Sequence, residues 1–519
     1  MSSRNTAVIL LVLALVGFAA VPATAQSFRV QCPTSTITHP TAANNNSEPA
    51  YTAPTTQVLG AAGYLAPTAH VNGAIKCQQI SGGDGYATMG DGTQTYMFSF
   101  GPLSGLSKIA SGEPGTDFPN EFNLVAPVTL VPGDPATSGT TYNGAVGLTP
   151  DADSIADGIC TAPCLNGHVD PRPIMDVGVM NGNIPAPLMA IDEDDEFFLT
   201  LTNVGMIMRP DLFEQHTVHF HGYPNASSFY DGVPDASVAI NIGGSFTYYY
   251  LAPDAGTYFW HCHITPPEHL QMGMVGQIYV RPRQNRVPAT TTLYSALQAQ
   301  QGDLRTACNS ATDILCTNPL PAVNTGATGG GKYAYNDGDG STYYDVEYPL
   351  QIHGFDPNFH FVGMTFNPEG FTDMKDKYFL LNGRSYPDTV TTGPMQTEAV
   401  DGTGHFSQPL PSIINIPAGK KALLRISDLD VTEYQTLASL GIRMHVVGYN
   451  AKLLRDQAGN NLDYYTNSIT LAGGESLDVI LDATGYTAGQ VFYLYTPNLD
   501  HLSNDAENFG GLMTEVRVN

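Results

Sequence analysis

Residues 256–274, "GTYFWHCHITPPEHLQMGM", decide how the rest of this sequence is interpreted. A β-like run of aromatic and β-branched residues opens the stretch, and a dense group of soft metal ligands follows it. Such a density predicts a metal centre, and it raises the question of whether the ligands serve one metal or several. The ligand-type residues are His261, Cys262, His263, His269, Met272 and Met274.

A second histidine cluster lies upstream, in the stretch "HTVHFHG" that begins at His216. Side chains of a β-strand alternate between its two faces, so parity separates the ligands into two sets if the two strands are neighbours. One set contains imidazoles alone, and the other combines two imidazoles with a thiol and a thioether. The imidazole set is His219, His221, His261 and His263, and the mixed set is His216, Cys262, His269 and Met274.

The chemistry of the two sets differs. Two His and one Cys with a weak axial Met are the ligands of a blue-copper electron-transfer site; zinc is the alternative, but Met274 favours copper. The imidazole set suits copper or zinc and leaves positions open for a substrate. Because Cys262 lies between His261 and His263, its backbone gives an electron a short route between the sets. Met272 is predicted to pack rather than to ligate.

Cys262 also stands out in the cysteine count. The chain has 7 cysteines, and spacing predicts three pairs, although spacing alone leaves their connectivity open. A lone thiol in an oxidising compartment needs a reason, and metal ligation supplies one. The predicted pairs are Cys160 with Cys164, Cys308 with Cys316, and Cys32 with Cys77.

The N-terminus predicts export. Residues 1–25 contain Arg4, an apolar run, and the small residues Ala23 and Ala25 before Gln26, which together are typical of a cleaved secretory signal. The apolar run is short for a membrane span, and an uncleaved anchor is the alternative. We therefore expect a secreted or periplasmic protein with no membrane span in the mature chain. The net charge of −27 argues against nucleic acid and anionic membranes as partners.

Gly (53) and Pro (37) are abundant, helical periodicity is scarce, and short β-rich runs recur between turn residues. This pattern predicts an all-β fold built from sandwiches or barrels. The predicted organisation is a signal peptide at 1–25, a loop-rich N-terminal extension at 26–84, a first β-domain at 85–282 with a loop-rich insertion near 102–170, a linker at 283–345 and a second β-domain at 346–519. The linker contains the stretch "NTGATGGGKYAYNDGDGST", whose composition is typical of a flexible segment.

The frame "HFHG…DGVP…GSFTYYY…GTYFWHCH" resembles the copper-binding cupredoxin domain of the multicopper oxidases. The resemblance implies Greek-key β-barrels and copper as the cofactor. By this resemblance, type 1 copper is held by His216, Cys262, His269 and Met274, type 2 copper by His219, and type 3 copper by His221, His261 and His263.

Residues 346–519 are also similar to cupredoxin segments, for example in "IPAGKKALLRISDL" and "SLDVILDATG". Two domains with type 1 copper in the first resemble the two-domain multicopper oxidases and the copper nitrite reductases. Such chains often form trimers, so a homotrimer whose second metal site closes between subunits is one expectation.

Two features depart from the family pattern. Five residues, "ITPPE", separate His263 from His269, where the oxidases usually have three. The second domain also contains no HxH motif, so a complete three-copper cluster lacks half of its usual ligands. The candidate ligands there are single histidines, each with a buried structural role as the alternative: His445 and His501, with His353 and His360 behind them.

The resemblance implies an oxidoreductase that passes electrons from a small-molecule or metal-ion reductant, through type 1 copper, to an interdomain copper site that reduces O₂. The alternatives are a copper nitrite reductase-like enzyme and a non-catalytic blue-copper electron carrier. The nitrite reductases carry an Asp in place of His219, so the two HxH pairs favour the oxidase. Candidate proton-handling residues are Asp231, which alternatively makes a turn with Gly232, and Glu268.

Overall fold

A computed structural model describes residues 29–60, 63–124, 142–161, 164–165, 167–223, 227–252, 254–303, 319–364, 370–398 and 404–519. The predicted signal peptide and the predicted Cys308–Cys316 pair lie outside these residues. Strands dominate the described chain, and helices are short and lie in the connections, which confirms the all-β prediction. No helix among the described residues is long and apolar enough to cross a membrane.

The first half of the chain forms two four-stranded sheets that enclose one hydrophobic core. Aromatic and branched residues alternate along the strands, so that Phe100, Leu199, Tyr250 and Trp260 all point into the space between the sheets and are fully buried. In spatial order, one sheet contains Gln94–Pro102, Ile75–Thr88, Glu196–Gly205 and Ser245–Leu251, and the other contains Met189–Asp192, Val275–Arg281, Gly256–His261 and His219–Phe220.

The second half repeats this arrangement with larger sheets around a separate core that includes Leu424, Val479 and Leu494. In spatial order, one sheet contains Tyr378–Leu381, Val346–Phe355, Lys421–Asp428, Ser476–Asp482, Met444–Tyr449 and Lys452–Leu453, with Tyr464–Thr466 also paired to Met444–Tyr449. The other contains Ile414–Ile416, Met513–Val518, Val491–Tyr495, Gln435–Leu440 and Ser468–Leu471.

The remaining elements are small. The α-helices are Leu106–Ala110, Pro119–Phe122, Ala152–Ala156, Pro171–Gly178, Pro266–Gln271, Leu293–Gln300 and Pro357–Met364. The 3₁₀ turns are Ala42–Asn46, Ser228–Tyr230, Arg283–Arg286, Phe371–Asp373, Asp388–Val390 and Leu499–His501. Three two-stranded ribbons pair Thr56–Leu59 with Leu65–Ala69, Lys332–Tyr333 with Tyr343–Tyr344, and Met395–Glu398 with Gly404–Ser407.

The strand Ile75–Thr88 crosses the boundary predicted at residue 84 and lies inside the first sheet. Almost every residue of this strand is buried, so it lacks the alternation that marks a half-exposed strand. A disulfide between Cys32 and Cys77 ties the N-terminal extension to this strand, and a second disulfide joins Cys160 to Cys164. Both of these predicted pairings are confirmed.

Residues 283–303 and 319–345, predicted as a linker, are packed against both halves. The guanidinium of Arg283 is buried beside Asp194, and the hydroxyl of Tyr335 donates a hydrogen bond to Asp478. Composition alone indicated flexibility here because the stretch is rich in Gly, Asn and Asp, but those residues form tight turns.

The two halves meet along the strand Gly256–His261. Its neighbours reach across the boundary: the Gln277 amide donates to Ser427 at 2.8 Å, and the Thr257 hydroxyl donates to Asp478 at 2.6 Å. The strand that carries the HCH motif therefore has one face in the first core and the other face against the second half.

Candidate metal centres

The two histidine-bearing strands are direct neighbours, with His219 paired to His261 and Phe220 paired to Trp260. Phe220 and Trp260 point into the first core, and Cys262 joins the same core. Parity therefore places the mixed ligand set on the core side of the strands and the imidazole set on the side that faces the second half.

In the mixed set, the ligand atoms of His216, Cys262 and His269 all lie within 4.8 Å of one another. The Cys262 Sγ is 4.0 Å from His216 Nδ1 and 3.3 Å from His269 Nδ1. All three side chains are buried, and Met274 is buried in the same core cluster. The Met274 N–H donates to the His269 carbonyl at 2.8 Å, which couples the position of Met274 to that of His269. Met272 packs in the core, as predicted.

The surroundings of this set hold its members in place. The Thr217 N–H points at Cys262 Sγ at 3.4 Å, and the Phe98 ring packs edge-on against His269 with centroids 5.2 Å apart. Gly82 leaves room for the His216 ring, since a Cβ there would lie 2.8 Å from His216 Cδ2. A small residue, an aromatic ring and a backbone donor thus fix a compact thiol and imidazole group.

The sulfur of Cys262 carries no disulfide and has the character of a metal ligand. Burial would raise the pKa of Cys262, but His269 and His216 outweigh burial and hold the pKa of this thiol well below its ordinary value. A thiolate, two imidazole Nδ1 atoms and a nearby thioether form the donor set of a blue-copper site. The residues present therefore fit copper.

In the imidazole set, the ligand atoms of His219, His221 and His261 lie within 4.8 Å of one another. The His219 Nδ1–H donates to the Asp231 carbonyl at 2.7 Å, and the His261 Nδ1–H donates to the Cys262 carbonyl at 2.6 Å. These hydrogen bonds assign the tautomer that leaves each Nε2 as an acceptor directed toward the other rings.

The Nε2 atoms of His221 and His261 face each other at 3.0 Å. Burial, with His219 and His263 nearby, lowers the pKa of His221 to about 4, and burial lowers the pKa of His261 well below its ordinary value. A 3.0 Å contact between two Nε2 atoms is satisfied either by one ring donating its N–H to the other or by a metal ion that binds both lone pairs. This arrangement fits a metal ion, and imidazole ligands suit copper.

His263 stands at the edge of this set. Its ring centroid is 5.0 Å from that of His219 and 5.4 Å from that of His261. The tight three-histidine group does not include it, so the structure brings together three of the four predicted imidazoles closely and places the fourth beside them.

The histidines of the second half have other partners. His445 stacks on Tyr465 and lies 2.9 Å from an Asp463 oxygen. His501 stacks on Phe379 and lies in hydrogen-bond range of Gln435. Among the described residues, neither histidine lies in a group of three or more possible metal ligands, and both have the local partners that the structural alternative expects. Each is a single histidine held by stacking and local polar partners.

The two predicted proton-handling residues, Asp231 and Glu268, lie beside different ligand sets. Asp231 acts on the imidazole set through its backbone carbonyl, while its carboxylate lies 3.6 Å from His219 Nδ1. Glu268 lies on the helix Pro266–Gln271, away from the imidazole set and beside Glu214. Burial, with Glu214 close by, raises the pKa of Glu268. It therefore belongs to the surroundings of the thiolate group.

Two residues that were not predicted from the sequence touch the predicted ligands. A Glu214 carboxylate oxygen accepts a hydrogen bond from His269 Nε2, on the side of the ring opposite to the sulfur. The Gly474 backbone accepts a hydrogen bond from the His221 ring. Glu214 lies two residues before His216, so an acidic residue next to the motif was a usable signal, whereas nothing in "AGGES" indicates contact with His221.

A cavity of about 410 Å³ opens beside the imidazole set, between the two halves. The rings of His221 and Phe259 and the prolines Pro266 and Pro267 form one wall. The second half supplies the other wall, from residues 430–434 and 472–474. A small molecule in this cavity would contact the edge of the imidazole set.

These features define a β-sandwich protein with a thiolate group and an imidazole group whose donor atoms fit copper. Residues 166–285 match the family model described as multicopper oxidase. The sequence-based resemblance is thereby confirmed, and copper is the cofactor of this family of oxidoreductases.

Curated relatives share the same region. A laccase of Aspergillus fumigatus is 34% identical over 109 residues, which cover 21% of this chain and 17% of that protein. A copper-containing nitrite reductase of Rhizobium meliloti is 35% identical over 109 residues, which cover 20% of this chain and 26% of that protein. The chain therefore spans a quarter or less of most of these relatives.

Among solved structures, the blue copper oxidase of Nitrosomonas europaea aligns with a TM-score of 0.47 and 17% identity, covering 85% of both chains. A multicopper oxidase named mgLAC aligns with a TM-score of 0.48 and 16% identity, covering 85% of this chain and 86% of that chain.

Proposed function

We propose that the protein is an exported copper oxidoreductase that oxidises a small-molecule or metal-ion reductant and reduces O₂. The thiolate set, His216, Cys262, His269 and Met274, would hold type 1 copper, and the imidazole set would hold the copper at which O₂ is reduced. Bound copper supplies one-electron redox chemistry at both places. The observation that supports this proposal best is the position of Cys262 between two histidines of the other set.

The chain itself supplies the electron path. Cys262 reaches the thiolate centre through its sulfur, and its peptide bonds lead directly to His261 and His263. The His261 Nδ1–H donates to the Cys262 carbonyl at 2.6 Å, which adds a hydrogen-bonded link to the covalent one. Electron transfer between the two centres therefore needs no movement of the protein.

Electron uptake is assigned to the side of His269 that Glu214 covers. The Glu214 side chain is 25% exposed and holds the Nε2 edge of His269, and Phe213 beside it is 80% exposed. A carboxylate at this edge favours a cationic reductant, such as a low-valent metal ion, or a phenol that releases a proton as it is oxidised. Glu268 adds negative charge nearby.

O₂ reduction requires protons as well as electrons, and the cavity beside His221 has carboxyl groups on its wall. Asp430 and Glu433 line the cavity from the second half. They are better placed to transfer protons there than Asp231, whose backbone holds His219, or Glu268, which lies near the thiolate set. We assign proton transfer to the cavity carboxyls.

Copper analysis together with O₂ uptake tests the proposal. Copper-loaded protein is expected to hold more than one copper per chain, to show an intense blue band with the matching paramagnetic signal, and to consume O₂ with a phenol or Fe(II). One copper per chain without O₂ uptake would instead identify an electron carrier. About two coppers with nitrite turnover would identify a nitrite reductase-like enzyme, a reading that the relative from Rhizobium meliloti keeps in view.

The proposal includes export and assembly. The signal-like N-terminus supports secretion or a periplasmic location, and the resemblance to two-domain copper proteins is the ground for proposing a homotrimer. Edman or mass analysis of the exported protein should find an N-terminus at Gln26. Light scattering should find three chains per particle, and a monomer with full O₂ uptake would contradict assembly as a requirement.

A further inference from the structure

The segment that carries His269 rests on the second half of the chain. The helix Pro266–Gln271 ends with backbone carbonyls that have no partner inside the helix, as every α-helix does. Two of these carbonyls face histidines of the second half: His353 Nε2 is 3.0 Å from the Leu270 oxygen, and His360 Nε2 is 2.9 Å from the Gln271 oxygen.

The Gln271 side chain makes a second attachment to the same region. Its amide nitrogen donates to Asp376 Oδ1 at 2.9 Å, and its amide oxygen accepts the Asp356 N–H at 3.0 Å. Gln271 is fully buried, as are His353 and His360. Buried hydrogen bonds of this kind hold position firmly, because a polar atom left without its partner has no water to replace it.

The two histidine rings are themselves fixed. His360 stacks on Phe355 with centroids 3.5 Å apart, and its Nδ1 faces the Tyr96 carbonyl. Burial lowers the pKa of His360 to about 3 and also lowers the pKa of His353. Both rings are therefore neutral in ordinary buffers. A neutral imidazole carries one N–H, and we assign it to Nε2 in both rings, where it donates to the Leu270 carbonyl from His353 and to the Gln271 carbonyl from His360.

We infer that His353 and His360 are positioning residues for the thiolate copper site. By fixing the Leu270 and Gln271 carbonyls, they set where His269 stands relative to Cys262. They also set Met274, whose N–H is bonded to the His269 carbonyl. This inference rests on the proposed type 1 site. It assigns to the second half the role of holding the segment that carries His269, which requires no HxH motif.

The length of the ligand segment makes external support useful. Five residues separate His263 from His269, and Thr265 just before the helix has a left-handed backbone with φ of 36°. A long segment with a strained start keeps its shape only when the surrounding structure holds it. The second half supplies that support at the helix end.

The first test replaces the two positioning histidines one at a time, by His353→Phe and by His360→Phe. Phenylalanine keeps an aromatic ring in place and removes the N–H, so the segment should shift while copper is still bound. We expect unchanged copper content with a shifted blue absorption maximum and reduction potential. His353→Gln and His360→Gln should restore both, because the glutamine Nε2 occupies nearly the same place as the histidine Nε2.

The second test works on the metal-free protein. Cys262 is buried, so its rate of reaction with iodoacetamide, read from its own peptide by mass spectrometry, reports how often the segment opens. We expect an increase of about tenfold in the Phe variants, the effect of one lost hydrogen bond, and a return to the original rate in the Gln variants. If His360→Phe fails to fold, Gln271→Leu tests the same attachment from the other side.

His501→Phe is the matched control. His501 is buried and stacks on Phe379 with centroids 3.7 Å apart, and its polar contacts with Asn498, Gln435 and Glu433 all lie within the second half. It should leave the blue spectrum and the Cys262 rate unchanged. Phe variants that match the original protein in both readouts would overturn the inference. If the original protein has no blue copper, the proposed function fails, and the Cys262 rate still decides the positioning role.

Discussion

At the scale of single residues, Cys262 connects the thiolate set to the imidazole set. Its sulfur belongs to one ligand set, and its carbonyl accepts the ring N–H of His261 from the other set. A thiolate is needed for the charge-transfer band of blue copper, and a hydroxyl cannot replace it.

We therefore predict that Cys262→Ser removes the intense blue absorption and leaves the fold in place. The exchange of sulfur for oxygen at this buried position should lower the unfolding free energy by about 1 kcal/mol. Visible and circular dichroism spectra measure the two effects. Met272→Leu is the control, because Met272 is buried in the same segment and only packs. A blue band that survives Cys262→Ser would rule out the thiolate assignment.

His261 and His263 give the complementary prediction. The double change His261→Ala with His263→Ala should keep the blue band, because neither ring belongs to the thiolate group. O₂ uptake should fall at least about hundredfold, as is typical when the metal ligands of a catalytic site are lost. Stopped-flow reduction and an oxygen electrode separate the two steps. Unchanged O₂ uptake would contradict coupling between the two sets.

The sequence predicted which ligands lie together where the alternation of side chains along a β-strand could be used. Alternation along "HTVHFHG" and "WHCH" separates the ligands into the two groups that the structure contains. The sequence left two roles open where contact depends on the tertiary fold. His445 and His501 are single histidines in β-rich stretches, and only the structure reveals that they stack on Tyr465 and Phe379.

At the scale of elements, the turn after strand Ser468–Leu471 matters because it touches the imidazole set. Gly474 has φ of +89°, a left-handed conformation that favours glycine, and a Cβ there would lie 2.7 Å from His221 Nδ1. The turn therefore fixes His221 from the second half through a hydrogen bond and close contact.

We predict that Gly474→Ala displaces the His221 ring and lowers O₂ uptake while the blue band stays. Backbone strain should also reduce the unfolding free energy by about 1 kcal/mol. Gly485→Ala is a matched control, because Gly485 has φ of +87° with nothing within 4 Å of the added Cβ. The control should share the loss of stability and keep O₂ uptake. Equal O₂ uptake in the two variants would contradict a role for the turn.

The boundary predicted at residue 84 lies inside a strand, because that strand has no alternation of exposed and buried residues. Half-exposed strands show alternation and stand out in the sequence, whereas Ile75–Thr88 is buried on both faces and was divided by the predicted boundary. The composition of residues 319–345 indicated flexibility because turns and linkers use the same residues, Gly, Asn and Asp. Whether such a stretch packs depends on partners that are distant in the sequence.

At the scale of the whole molecule, a group of charges ties the halves together. The Glu347 carboxylate forms ion pairs with Arg281 from the first half and Arg425 from the second, with nitrogen–oxygen distances of 2.6 Å and 3.1 Å. Arg425 also lies 3.5 Å from Asp478, which accepts the Thr257 hydroxyl. The interface that positions both ligand sets therefore depends in part on a carboxylate held between two guanidinium groups.

Glu347 gives this interface a distinct pH dependence. Burial would raise the pKa of Glu347, but Arg281 and Arg425 lower it to about 2, below the ordinary value of 4.5. A depressed carboxyl pKa stabilises the fold above pH 4.5, and that contribution disappears as the pH falls toward 2. A shift of this size corresponds to about 3 kcal/mol.

We predict that Glu347→Gln lowers the unfolding free energy by about 3 kcal/mol at pH 7, because it leaves the buried Arg425 and the partly exposed Arg281 short of a counter-charge. The difference from the original protein should shrink steadily between pH 4.5 and 2 as Glu347 becomes protonated in the original protein. Urea unfolding across this range measures the difference. Glu515→Gln is the control, since its partner Arg517 is 42% exposed and the pair should contribute at most about 1 kcal/mol. A Glu347→Gln difference that stays constant down to pH 2 would show that the charge on Glu347 does not hold the halves together.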